Sequence, residues 1–171
     1  KYEDRTDELE LEIDDYLVKV AEGRLSARSS QEIKGILGIT NDLERIADII
    51  LRMSNDVRRK SKHDLRFTKE QKKDYKLMFE SVNGAFDTMY NNLRAEYDDV
   101  SLADAVSKED NINKILKKLS KKHLNDIDSK GYDVKLGIVY RDILFGLEKV
   151  GDHIINVSEG ITGTLEKDED D

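Results

Sequence analysis

The stretch Asp42-Leu43-Glu44-Arg45-Ile46-Ala47-Asp48-Ile49-Ile50 returns in kind as Gly146-Leu147-Glu148-Lys149-Val150-Gly151-Asp152-His153-Ile154, 104 residues further on. Both copies read Leu-Glu-basic-aliphatic-small-Asp. The first sits in the apolar series Ile36, Ile39, Leu43, Ile46, Ile50, Met53, Val57. The second sits in the series Leu136, Tyr140, Ile143, Leu147, Val150, Ile154, Val157, Ile161. Steps that alternate between three and four keep one narrow apolar seam on one side of an α-helix. A helix with such a seam cannot bury it alone, so the motif predicts a bundle.

The same reading extends in both directions. A first helix is predicted from Asp4 to Glu22, with Leu9, Ile13, Tyr16, Leu17 and Val20 on one face and Gly23 as its stop. The motif helix is predicted from Ser30 to Ser61, opened by a capping box of Ser29 and Glu32. A third, Lys69 to Asp98, is capped by Thr68 with Gln71 and carries Met78, Val82, Ala85, Phe86, Met89, Leu93 and Tyr97. The stripe Phe86, Tyr90, Leu93, Tyr97 reads as core. A fourth begins after Ser101, carries Ala105, Ile112, Leu116, Leu119 and His123, and ends at Ser129-Lys130-Gly131. The fifth opens on Asp133 as its N-cap. No segment alternates with period two, so no sheet is expected. The chain has no proline, which suits long uninterrupted helices. Short connections make the helices antiparallel neighbours. The expected fold is all-α, an antiparallel bundle of about five helices.

The helix before each motif is repeated too. Glu10-Leu11-Glu12-Ile13-Asp14 parallels Glu109-Asp110-Asn111-Ile112-Asn113, 99 residues apart, and the difference in offset falls in the hairpin. Residues 1–64 therefore read as a first repeat of two helices and 65–165 as a second of three, with 166–171 an acidic, disordered tail. The first repeat lacks a counterpart of the Lys69–Asp98 helix. The expectation is that this helix precedes Lys1 in a longer protein.

Composition narrows the function. With 29 basic and 37 acidic residues the net charge is −8, which disfavours binding a phosphate backbone, and no nucleic-acid partner is expected. The absence of cysteine removes disulfides and thiolate metal sites. No run of about 18 apolar residues is present, and no signal peptide is visible. Glycine loops for nucleotides and nucleophile–base arrangements are also missing, so no catalytic group is assigned.

The motif carries chemistry of another kind. Glu44 and Asp48 stand one turn apart on the flank of the seam, as do Glu148 and Asp152, and Glu10 and Asp14 repeat the spacing. Carboxylates gathered by the hairpin arms repel one another unless a cation lies between them. Oxygen-rich sites of this type suit Mg, Ca, Mn or Fe and also accept Zn. The other reading is a salt-bridge network in which Arg45 and Lys149 are the partners. The Glu-x-x-His spacing of carboxylate di-iron bundles is absent at His63, His123 and His153. His153 reads as a surface histidine, with an auxiliary ligand the second option.

Leu43-Glu44-Arg45-Ile46-Ala47-Asp48 and Leu147-Glu148-Lys149-Val150-Gly151-Asp152-His153 resemble the repeated signature of PhoU domains. The resemblance implies two related three-helix bundles with metal clusters on the Glu/Asp-x-x-x-Asp motifs of some members. It implies a non-enzymatic regulator of phosphate uptake that acts on a transporter or sensor kinase. Carried over by position, the metal residues are Glu10, Asp14, Glu44 and Asp48 in the first repeat. In the second they are Glu109, Asn113, Glu148 and Asp152, where Asn113 replaces an acid. Because the first repeat is short of a helix, the chain looks most like the C-terminal PhoU-like domain of a bacterial sodium/phosphate cotransporter-related membrane protein. That implies a place at the cytoplasmic face of the inner membrane and a transporter membrane domain as partner. A two-helix half-bundle leaves apolar surface open, to be filled by a second copy in a homodimer or by reorganised packing.

Overall fold

The computed structural model describes residues 2–62, 64–95, 99–127 and 133–165. It contains five helices: α1 (Glu3–Ala21), α2 (Ala27–Lys62), α3 (Lys69–Arg94), α4 (Leu102–Ile127) and α5 (Val134–Leu165). Among the described residues there is no strand, as the periodicity predicts. None of the described helices is long and apolar enough to cross a membrane. Tyr97, the Ser129-Lys130-Gly131 stop, His63 and the tail 166–171 lie outside the described residues.

Three helix starts follow the sequence. Thr68 Oγ1 accepts from the Gln71 amide at 3.1 Å while the Thr68 amide donates to Gln71 Oε1 at 3.0 Å, a complete capping box. Asp133 Oδ1 accepts from the Leu136 amide at 3.0 Å. Ser101 Oγ accepts from the Asp104 amide at 3.4 Å. The start of α2 differs from expectation. Its cap is Ser26, whose Oγ accepts from the Ser29 amide at 3.0 Å, so the helix begins three residues earlier than Ser30. Ser29 lies inside the first turn, and Glu32 instead accepts from Arg28 Nε at 3.1 Å. Two serines three apart offer two possible caps, and the earlier one wins because it adds a turn of backbone hydrogen bonds.

α5 is the hub: α2, α3 and α4 all pack on it, α3 also packs on α4, and α1 packs on α2. The core is made by α2 through α5, with Met78, Val82, Ile112, Tyr140, Val150 and Val157 among its most buried members. α5 is buried on several sides, and Val139 and Leu144 join the seam that the heptad steps marked. Two polar clamps fix its ends. Asp74 Oδ2 accepts from Lys122 Nζ at 2.7 Å and from the Tyr140 hydroxyl at 2.9 Å, joining α3, α4 and α5. Near the other end, the Asn92 side chain accepts from the Ser101 amide at 3.0 Å and donates to Ser158 Oγ at 3.3 Å.

The seams of the first two helices are only partly covered. In α2, Ile46 and Ile49 are buried, whereas Ile36, Ile50 and Val57 remain exposed. In α1, Leu17 is buried while Leu9, Tyr16 and Val20 are open. The stripe on α3 also differs from expectation. Phe86 packs on the core, but Leu93 is open and Tyr90 is exposed, its hydroxyl accepting from Arg94. At about 100° per residue Tyr90 falls well off the buried side set by Met78, Val82, Ala85 and Met89.

Candidate acidic site

The α1–α2 hairpin brings acids from both arms together. Asn41 Nδ2 donates to Glu10 Oε1 at 3.3 Å, which fixes the register of the two helices. In that register the carboxylates around Glu44 are Asp48, Glu10 and Asp7. Glu44 is pushed above the ordinary carboxylate range, first by burial and then by those three acids, with Arg45 opposing. Arg45 Nε stands 3.9 Å from Glu44 Oε2, a loose contact. Asp14 lies one turn nearer the hairpin and is not among the acids that raise Glu44.

Asp7 was not singled out in the sequence. Its Oδ1 is buried and has no hydrogen-bond partner. A buried carboxylate oxygen without a donor costs free energy that a cation or a bound donor would offset. The signal that could have found it is the spacing Asp7, Glu10, Asp14, which holds three acids on the face of α1 turned toward α2.

The second hairpin is built on the same plan with a different balance. Burial is again the first cause raising Glu148, followed by Asp152, with Glu109 a lesser one. Here Lys149 Nζ donates to Asp152 Oδ2 at 2.5 Å and stands 3.7 Å from Glu148 Oε2. Asn113 Nδ2 donates to Glu109 Oε1. The place of Asp7 is taken by Val106, 99 residues on. This cluster already satisfies its acids with a tethered ammonium and an amide, the salt-bridge reading of the motif. Among the described residues, no three acidic or histidine side chains of either cluster stand close enough to hold a metal ion as they are.

His153 has a structural partner that the sequence did not reveal. Its Nδ1 donates to Asp42 Oδ1 at 2.7 Å, and Asn156 Nδ2 donates to the same oxygen at 3.2 Å. The residue just before the first motif is thus tied to the last residues of the second, across the α2–α5 contact. His153 is therefore half-buried in a cross-helix pair rather than free on the surface. His123 is buried beside the Tyr140 ring at 5.1 Å, and burial pushes its imidazole below the usual range.

A pH prediction follows from Glu44. A carboxyl whose pKa is raised on folding binds its proton more tightly in the folded state. Its contribution is fully present below the unfolded value of 4.5 and is lost as pH rises through the folded value. Glu44→Gln, which keeps the shape without the charge, is therefore expected to raise the melting temperature at pH 7 in a chelating buffer by about 1–3 °C. The gain shrinks toward zero at pH 4.5. A variant less stable than the parent at pH 7 would contradict this account of the site.

No curated protein and no solved structure matches the chain. The model of the PhoU domain matches residues 1–57 and 75–161, so both acidic motifs fall inside it. The chain belongs to the PhoU domain family, whose members are non-enzymatic helical regulators in phosphate homeostasis.

Proposed function

We propose that this chain is the regulatory domain of a sodium/phosphate cotransporter-related membrane protein, placed at the cytoplasmic face of the inner membrane. Its partner is the transporter's membrane domain. It carries one cation-responsive acidic site, formed by Asp7, Glu10, Glu44 and Asp48. The observation that carries the cation part is the orphaned Oδ1 of Asp7 beside a Glu44 that burial, and then its acidic neighbours, push above the ordinary carboxylate range. The donors are all carboxylate oxygens, with the Asn41 amide adjacent, which fits a hard ion such as Mg, Ca, Mn or Fe, and Zn less closely. A bound cation would supply the charge that these acids lack. Asp14 lies next along the same face and completes the set if α1 slides away from the hairpin by about one turn. The second cluster, Glu109, Asn113, Glu148 and Asp152, is read as a permanent salt bridge through Lys149.

The regulatory step runs through packing. α1 packs on α2, and α2 rests on α5. Drawing the acids of α1 and α2 together changes how α1 sits on α2, which biases one arrangement of the domain over another. The division into repeats at residues 1–64 and 65–165 belongs to the same proposal.

Two measurements test it. Elemental analysis of the purified protein is expected to find about one equivalent of metal, lost in Glu44→Ala/Asp48→Ala and reduced in Asp7→Asn. Glu148→Ala/Asp152→Ala is expected to retain it. Equal metal content in all four proteins would remove these residues as ligands. Phosphate uptake by cells carrying the full-length protein is expected to change when this domain is deleted. A full-length gene without transmembrane segments would sink the fused-transporter reading and leave a free-standing regulator.

A further inference from the structure

The net charge of −8 conceals a separation of charge along the bundle. Met53 of α2 packs against Gly146 of α5, and the Tyr140 ring of α5 meets both His123 of α4 and Tyr75 of α3. The α2–α3 and α4–α5 connections therefore lie at the same end. That half of the bundle, residues 53–62, 64–80, 117–127 and 133–146, holds fifteen basic and eight acidic residues. The rest of the chain is left with −15. At least five of the eight acids are already in ion pairs with neighbouring lysines or arginines, Asp74 with Lys122 at 2.7 Å among them. Lys62, Arg66, Lys69, Lys121 and Lys135 are exposed and have no ion pair among the described residues. Aliphatic side chains stand open at the same end: Leu124 and Val134 are each 64% exposed, and Ile127 is exposed with them. Lys121, Leu124 and Ile127 belong to α4, which packs on α3 and α5, so their exposure does not depend on what covers α1 and α2.

We propose that this end of the bundle docks on an anionic lipid bilayer, with the helices steep to the surface. A flat surface meets one end of the molecule and leaves the other in solution. Glu44 lies 18 residues before Lys62 on α2, about 27 Å along the helix and about three screening lengths away at physiological salt. The acids around it therefore add little repulsion, while each basic side chain near the surface raises partitioning roughly fivefold. Leu124 and Val134 enter the headgroup region near Lys121 and Lys135, a mixture of aliphatic and basic side chains that suits such an interface. A nucleic acid offers phosphates too, but a polymer longer than this end runs on past the half that carries −15 and is repelled there. The inference rests neither on the cation site nor on attachment to a transporter.

The probe is a vesicle of equal parts phosphatidylglycerol and phosphatidylcholine, with cosedimentation of the chain as the measurement. Saturable binding is expected at low salt, at least tenfold weaker at about 1 M salt, and absent with phosphatidylcholine alone. Lys121→Glu/Lys135→Glu is expected to weaken it at least tenfold with the helical circular dichroism unchanged, because both side chains are exposed in the parent. Arg24→Glu/Lys34→Glu makes the same change of charge at the opposite end, where Gln31 meets Gly163, and is expected to alter binding less than twofold. The chain has no tryptophan, so Leu124→Trp is a single reporter whose emission is expected to shift to the blue on the vesicles. Absence of binding to the anionic vesicles overturns the proposal. So do equal losses in the two charge-reversed variants, or a bound Leu124→Trp whose emission does not move. Binding to duplex DNA, or a head-to-tail oligomer, that is stronger than the vesicle binding and lost in Lys121→Glu/Lys135→Glu would assign this end to another occupant and overturn it as well.

Discussion

Replacing Tyr140 with alanine is expected to cost about 3–5 kcal/mol, the scale of a large buried aromatic removed from a core. For a chain of this length that lowers the melting temperature by roughly 10 °C. The side chain is 2% exposed, and three elements depend on it. Its ring meets Tyr75 at 5.2 Å and His123 at 5.1 Å. Its hydroxyl donates to Asp74, and its carbonyl accepts from the Tyr75 hydroxyl at 3.2 Å. Tyr140→Phe keeps the ring and removes only the donor to Asp74, which retains Lys122 at 2.7 Å. That variant is expected to lose about 1–2 kcal/mol. Denaturant unfolding measures both. Equal losses would mean that the hydroxyl, not the packing, holds this end of the bundle.

The second large effect lies where α5 presses on α2. A Cβ at Gly160 would stand 2.8 Å from Ile39 Cγ1, and one at Gly146 would stand 2.8 Å from Met53 Cγ and Sδ. The two distances are equal and the outcomes are not. Ile39 is β-branched and held near its backbone, so it cannot swing aside. Met53 is unbranched and flexible. Gly160→Ala is expected to destabilise by about 1–3 kcal/mol through overpacking, more than the gain in helix propensity of up to about 1 kcal/mol. Gly146→Ala is expected to be near neutral. At Gly38 an added Cβ meets nothing within 4 Å, so Gly38→Ala is expected to stabilise by about 0.5–1 kcal/mol. Thermal melts of the three variants should rank Gly38→Ala above the parent and Gly160→Ala below it. The reverse order would mean that α5 and α2 are not packed as described.

The fold was legible because its signals are local. Alternating steps of three and four placed α5's seam from Leu136 to Ile161, and Thr68 and Asp133 marked helix starts through side chains that can reach only their own first turn. What stayed hidden depends on contacts distant in sequence. Ile50 and Ile49 fit the seam of α2 almost equally, and only the position of α5 decides that Ile49 is buried. His153 looked like a surface residue because its partner, Asp42, lies 111 residues away. In the acidic site, Glu44 and Asp48 were readable as a pair, and the repeat drew attention to Glu10. The repeat does not mark Asp7, because its place in the second copy is held by Val106. The register set by Asn41 and Glu10 brings it back.

The Lys149 ammonium has a consequence for how the domain answers a titration. A counter-ion tethered one residue from Glu148 and three from Asp152 has an effective concentration far above that of any free ion, and it cannot be diluted away. A duplicated protein with two open sites would respond in two steps, or cooperatively if they were coupled. With one copy closed by its own side chain, the proposed loading becomes a single hyperbolic curve. On the proposed reading, duplication leaves this chain one site that answers to a cation and one that Lys149 already neutralises.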